Sequence, residues 1–291
     1  MSNTTNPALL NGLADIAPLY RALLCDVWGV VHDGTKAHIQ ATDALMRYRD
    51  DGGKVIFITN APRPKSEVVA QLDRLGVPRE AYDDIVTSGD TARHILAARP
   101  GVKLYHVGPE RDLPIYFGLP VTFADEDDCE LIACTGLFDD ERETPEDYDD
   151  SFADWQARGV PMLCMNPDIV VERGDRLVWC AGALAERYRE RGGETIVVGK
   201  PFAPIYEACL ARLAEISGVA VDRPGILAVG DGLDTDVRGA FGQGIDVVFI
   251  TGGIHAAVFG AKEAPDLGKV NAFLTTAGLG ARAVMKRLVW T

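Results

Sequence analysis

The residues best placed to do chemistry in this 291-residue chain are aspartates that come just after an apolar run. Residues 226–229 are Ile, Leu, Ala and Val, and Gly230, Asp231, Gly232, Leu233, Asp234, Thr235 and Asp236 follow. Three carboxylates within six residues repel one another, and a hard divalent cation such as Mg²⁺ would relieve that repulsion. Helix N-capping would account for one of them, not three. Further upstream, Leu23, Leu24 and Cys25 lead into Asp26, then Val27, Trp28 and Gly29. An aspartate at such a strand end can be a nucleophile, a metal ligand or a loop cap. A third apolar run, 55–58, ends in Thr59 and Asn60, where a hydroxyl and a backbone N–H can hold an oxyanion or simply begin a turn. Positive charge comes from Lys200, between Gly199 and Pro201 after the apolar run 196–198. Set in a Pro-containing turn it can balance a carboxylate and a phosphoryl oxygen together; the alternative is an ordinary surface lysine.

These groups need a scaffold that brings remote strand ends together. Short apolar runs at 22–25, 55–59, 196–198, 226–229 and 247–250, most of them containing β-branched residues, have strand length, and helical patterns lie between them. In the segment 65–75, Val68, Val69, Leu72 and Leu75 form one stripe and Gly76 is the stop; in 204–217, Ile205, Ala208, Cys209, Leu213 and Ile216 do the same before Gly218. That rhythm predicts an α/β fold with a parallel, Rossmann-like sheet, whose carboxyl ends converge on one crevice. The middle of the chain has further strand candidates at 103–107, 131–134 and 161–165, together with an acid-rich stretch from Asp125 to Asp150 expected to be a solvated rim. It reads as a second α/β domain, residues 89–192, inserted into a first domain made of 1–88 and 193–291.

Taken in order, Asp26, Thr59, Lys200 and the Asp231/Asp236 pair resemble the four motifs of the haloacid dehalogenase superfamily, whose phosphatases form an aspartyl-phosphate. The long insertion, Gly199-Lys200-Pro201, and the Gly230, Asp231, Thr235, Asp236 spacing resemble class IIA of that superfamily. This class has a large α/β cap and includes nitrophenyl phosphatase-like, nucleotide, phosphoglycolate and pyridoxal phosphate phosphatases. The resemblance implies Mg²⁺ as cofactor, held by Asp26, the Trp28 backbone carbonyl, Asp231 and Asp236. It further implies Asp26 as nucleophile, Thr59 and Asn60 holding the phosphoryl group, and Lys200 orienting both. Asn166, Pro167 and Asp168 match a substrate-facing loop of the class, and an Asn-Pro-Asp sequence is equally a structural turn.

One position departs from the family pattern. Family phosphatases carry a second aspartate two residues after the nucleophile, and Trp28 stands there. A backbone carbonyl can reach a metal whatever the side chain is, but indole can neither protonate a leaving oxygen nor activate water. The expectation is a metal-dependent phosphomonoesterase for small phosphorylated metabolites, slow or selective for good leaving groups unless His32 or Asp33 substitutes as the acid. A carbon–halogen hydrolase and a non-catalytic binder of phosphorylated metabolites are the alternatives. The net charge of −14 repels polyanions and argues against nucleic acid. No run approaches the roughly 18 apolar residues of a membrane helix. Residues 1–18 show no basic segment followed by an apolar run and a cleavage site, so the cytoplasm is the expected compartment. Six cysteines without a C-x-x-C pair suggest reduced, packed thiols.

Overall fold

Apolar four- and five-residue runs become central strands because they bury both faces. Ala22–Cys25 and Ile226–Gly230 are buried at every position in the computed structural model, which describes residues 4, 6–173, 176–260 and 265–291. They lie side by side in a seven-stranded sheet of order Ala8–Leu9, Ala283–Met285, Asp246–Ile250, Ile226–Gly230, Ala22–Cys25, Lys54–Thr59, Asp84–Thr87. The pairs from Ala8–Leu9 through Lys54–Thr59 are all parallel. Their register does the positioning: Cys25 pairs with both Val229 and Phe57, so Asp26, Thr59 and Asp231 leave the sheet at the same edge. The strands at 22–25, 55–59, 226–229 and 247–250 were expected, and so was the helix Lys65–Leu75. The two outermost strands at one edge have only two and three residues, too few for periodicity to reveal.

The chain forms two compact units: Met1–Thr59 with Val69–Val86 and Tyr206–Thr291, and Asn60–Val68 with Thr87–Ile205. In the second unit a five-stranded parallel sheet runs Thr195–Val197, Met162–Cys164, Leu131–Cys134, Lys103–Val107, Thr122–Phe123. Alternation along Leu131–Cys134 divides its core in two. Ile132 and Cys134 pack with Phe152 and Trp155 of the helix Asp149–Arg158 and with Leu184 and Tyr188 of Ala181–Glu190. Leu131 and Ala133 pack with Ala92 and Leu96 of the helix Ser88–Ala97 and with Ile115 and Tyr116. Thr195–Val197, assigned by the expected border at 192/193 to the first domain, instead pairs with Met162–Cys164 in this second sheet. Its apolar run announces a strand but not which sheet it joins. A separate antiparallel pair, Val170–Arg173 with Arg176–Trp179, has no counterpart among the expected strands.

None of the acidic residues between Asp125 and Asp150 is buried. The segment is nonetheless structured: Thr144 and Asp147 form a capping box, and Asp140 accepts hydrogen bonds from Arg111 and Arg173. Among the described residues no helix is long and apolar enough to cross a membrane.

None of the six cysteines is in a disulfide, and all six are buried. Burial pushes the Cys164 thiol up to about 12 and raises those of Cys129, Cys134 and Cys180 as well. Thiolate is the reactive form, so the native protein should react with fewer than one equivalent of Ellman's reagent over minutes and with six after denaturation. Fast reaction of several thiols in the native state would contradict the packing described.

Candidate active site

Asp26, Asp231 and Asp236 meet at the sheet edge of the first unit, all buried, with one carboxylate oxygen from each lying within 4.8 Å of the others. The Asp26 N–H donates to the Val229 carbonyl (2.8 Å), so the ladder continues one residue past the strand and fixes the backbone of this aspartate. Asp231 Oδ2 accepts the Ile254 N–H (2.8 Å), and Asp236 Oδ2 accepts the Gly232 N–H (3.0 Å). Asp234 is not part of the cluster. Its carboxylate is exposed and pairs with Arg238 one helical turn on (2.6 Å). The three-carboxylate set therefore has Asp26 as its third member.

Glycine makes this density possible. A Cβ on Gly253 would stand 1.9 Å from Asp231 Oδ2, one on Gly29 2.2 Å from the same atom, and one on Gly230 2.1 Å from Asp236 Cγ. Gly29 also has φ +83°, a conformation that side chains other than glycine's resist. An all-oxygen set of buried carboxylates suits a hard cation such as Mg²⁺. Thr59 is buried at the end of Lys54–Thr59.

Lys200 and Asn60 belong to the second unit. The Lys200 N–H donates to Asn60 Oδ1 (2.7 Å), while Asn60 Nδ2 donates to the Lys200 carbonyl (3.2 Å) and to Asp168 Oδ1 (2.8 Å). One amide side chain thus grips both backbone groups of the lysine, which is itself buried. Asn166 Oδ1 accepts the Asp168 N–H (3.2 Å), shaping the turn that includes Pro167. Gly199, at φ +101°, lies so close to Asn60 and Pro167 that a Cβ there would come within 2.9 Å of both. Asn60, Asn166, Pro167 and Asp168 therefore form one cluster around the Lys200 backbone.

A haloacid dehalogenase-like hydrolase model matches residues 23–116, and a second, HAD-hydrolase-like model matches residues 197–272. The crystal structure of a haloacid dehalogenase-like hydrolase from Brucella suis 1330 is 46% identical, covers 96% of this chain and 100% of that one, and superposes with a TM-score of 0.87. The chain belongs to the haloacid dehalogenase-like hydrolase family. Among characterised relatives, a D-glycerol 3-phosphate phosphatase of Mycobacterium tuberculosis is 29% identical over 255 residues, 84% of this chain and 67% of the relative. The 5′-nucleotidase YutF of Bacillus subtilis is 24% identical over 237 residues, 81% of this chain and 88% of that protein.

Within this haloacid dehalogenase-like chain, the loop after Asp26 packs around Trp28. The Trp28 indole is half-buried, meets the His32 ring edge-on (centroids 5.0 Å apart) and covers Gly34, where a Cβ would come within 2.6 Å of the indole. Its side chain is a packing element of its own loop. His32 Nδ1 accepts the Gly34 N–H (2.9 Å), which places the proton of the neutral ring on Nε2. Imidazolium would set a second N–H against that amide, so His32 is poorly arranged to act as the acid. Asp33 is partly buried, which works against ionisation, yet its Oδ1 accepts the Thr35 hydroxyl and the amides of Thr35 and Lys36, and these bonds hold its pKa at about 2. A group ionised to that extent has no proton to give near neutrality.

Two contributors escaped the sequence reading: the Ile254 amide and His255, whose Nε2 accepts the Leu233 N–H (3.2 Å). The signal available was Gly252-Gly253 one residue after an apolar strand, a sign of close backbone approach. Gly253→Ala should displace Asp231 and abolish thermal stabilisation by millimolar Mg²⁺. Gly242→Ala, where nothing lies within 4 Å of the added carbon, should keep it. Equal Mg²⁺ responses in differential scanning fluorimetry would show that the cluster does not bind the cation.

Proposed function

We propose that this protein is a Mg²⁺-dependent phosphomonoesterase for small phosphorylated metabolites that works through an aspartyl-phosphate on Asp26. The observation that carries the reading is the convergence of Asp26, Asp231 and Asp236 within 4.8 Å, with glycines pared away around them. Three buried anions at that separation fit a divalent cation, and an aspartate among them fits attack on a phosphoryl group. The named phosphatase activities of the relatives support the same class.

In this mechanism an Asp26 carboxylate oxygen forms a bond to phosphorus as the bond to the ester oxygen breaks. Water then cleaves the acyl phosphate, releasing inorganic phosphate and regenerating the carboxylate. Asp231 and Asp236, with the Trp28 backbone carbonyl, would hold Mg²⁺, which supplies charge neutralisation for the phosphoryl oxygens. The buried Thr59 hydroxyl holds a phosphoryl oxygen, and Lys200, gripped by Asn60, supplies balancing positive charge. Asn60, Asn166, Pro167 and Asp168 set the lysine and face the substrate, and the inserted segment expected at 89–192 acts as the cap that selects the ester. Trp28 donates no proton, so the departing oxygen must leave with little help. This favours esters of acidic alcohols, such as aryl phosphates.

The missing donor at position 28 also favours a second reading, a binder of phosphorylated metabolites that turns nothing over. A carbon–halogen hydrolase would have no use for the Asp231 and Asp236 pair.

A leaving-group series separates these readings. Purified protein with Mg²⁺ should release phosphate from 4-nitrophenyl phosphate at least about 10²-fold faster than from a simple alkyl phosphate, and Trp28→Asp should narrow that gap. Equal rates on both esters would mean that a proton donor is present. Asp26→Asn should lower phosphate release by about 10³-fold or more. Ligand-induced stabilisation of the wild type without phosphate release or phosphoenzyme would instead identify a binder.

A further inference from the structure

We propose that His255 is a positioning residue for the carboxylate site, its Nε2 holding the Leu233 amide and so fixing the turn that carries Asp231 and Asp236. The proposal rests on the metal-dependent reading above and extends it to a residue that none of the four motifs contains.

The turn itself needs an outside partner. The Gly232 carbonyl accepts both the Asp236 N–H (3.0 Å) and the Val237 N–H (3.1 Å), closing a wide helical turn over Leu233–Val237. The first amides of such a turn find no backbone acceptor within it. The Gly232 N–H is taken by Asp236 Oδ2 (3.0 Å), and the Leu233 N–H by His255 Nε2 (3.2 Å). The histidine comes from the segment that follows Asp246–Ile250. That segment also brings the Ile254 N–H to Asp231 Oδ2 and the bare Gly253 against the same carboxylate. Three successive residues therefore brace the Asp231 side chain and the turn leading to Asp236.

Aromatic neighbours fix the ring. Its centroid lies 5.1 Å from that of Phe273, 6.4 Å from Phe249 and 6.5 Å from Phe259, and Phe259 meets Phe249 and Phe273 edge-on. Burial lowers the His255 pKa against the opposing pull of Asp234 and Asp236, which keeps the ring neutral and Nε2 an acceptor. Position 255 thus requires an aromatic body and an acceptor atom at its tip. Phenylalanine supplies only the body; glutamine carries an acceptor oxygen at a comparable reach.

The test measures Mg²⁺ binding to metal-free protein by isothermal titration calorimetry, with activity read separately. His255→Phe should raise the Mg²⁺ dissociation constant about tenfold, as loss of groups that orient metal ligands does, and His255→Gln should recover most of the affinity. In steady-state assays the Mg²⁺ concentration for half-activation should shift by the same factor, while kcat at saturating Mg²⁺ falls far less. A purely structural role would instead lower the melting temperature of the metal-free protein and kcat at saturating Mg²⁺, equally in the Phe and Gln variants. If His255→Phe does not fold, His255→Leu against His255→Gln makes the same comparison. Wild-type Mg²⁺ affinity in the Phe or Leu variant, or no recovery with Gln, overturns the role of His255 alone. A wild-type protein that binds no Mg²⁺ overturns the metal-dependent reading as well.

Discussion

The repulsion among three buried carboxylates is the constraint that organises the first unit. With oxygens within 4.8 Å, each ionised pair repels by at least about 3 kcal/mol at an effective dielectric near 20. Three such pairs approach about 10 kcal/mol, comparable to the whole stability of a typical domain. The chain offsets part of this with two backbone amides, those of Gly232 and Ile254, each aimed at one carboxylate. A hard divalent cation bound by these oxygens would offset more of it.

Sheet geometry explains why the three carboxylates meet although Asp26 and Asp236 are far apart in sequence. A parallel sheet puts the carboxyl ends of neighbouring strands at one edge, and the pairing of Cys25 with Val229 sets Asp26 beside Gly230. Shifting that register by one residue would turn Asp26 to the opposite face. The burial of every residue in Ala22–Cys25 and Ile226–Gly230 resists such a slip. Core packing thus acts directly on the site: the apolar strands hold the distances among the aspartates.

How much was legible in the sequence follows from which interactions are local. Asp26, Thr59 and Asp231 could be found because each ends an apolar run. Asp234 and Asp236 look equivalent in a motif, and only the structure separates them, with Asp234 turned outward to pair with Arg238. Asn60 was read as a phosphoryl contact, and its grip on the backbone of Lys200, 140 residues on, left no local trace. The strand at Thr195–Val197 was visible as a strand, but its sheet was decided by Met162–Cys164, whose pattern is indistinguishable from that of a core strand. His255 was hidden for a similar reason, since it acts through an amide 22 residues earlier.

At Trp28 the backbone and the side chain can be considered separately. The backbone around it remains constrained: Gly29 N–H donates to the His32 carbonyl (2.8 Å), and Val31 and His32 both donate to the Val27 carbonyl (2.8 and 3.2 Å). The peptide after Trp28 is therefore held whatever the side chain is. The indole adds packing over Gly34 and His32, and partial burial of an aromatic of this size contributes on the order of 1–3 kcal/mol to loop order. A general acid at that place contributes about 10²–10⁴ in rate. The indole stabilises the loop but cannot transfer a proton, and His32 and Asp33 are committed to hydrogen bonds that suit neither for the task. Under the proposed phosphomonoesterase reading, the site would favour transfer to Asp26 from a leaving group that needs no proton, a narrower requirement than an aspartate at position 28 would impose.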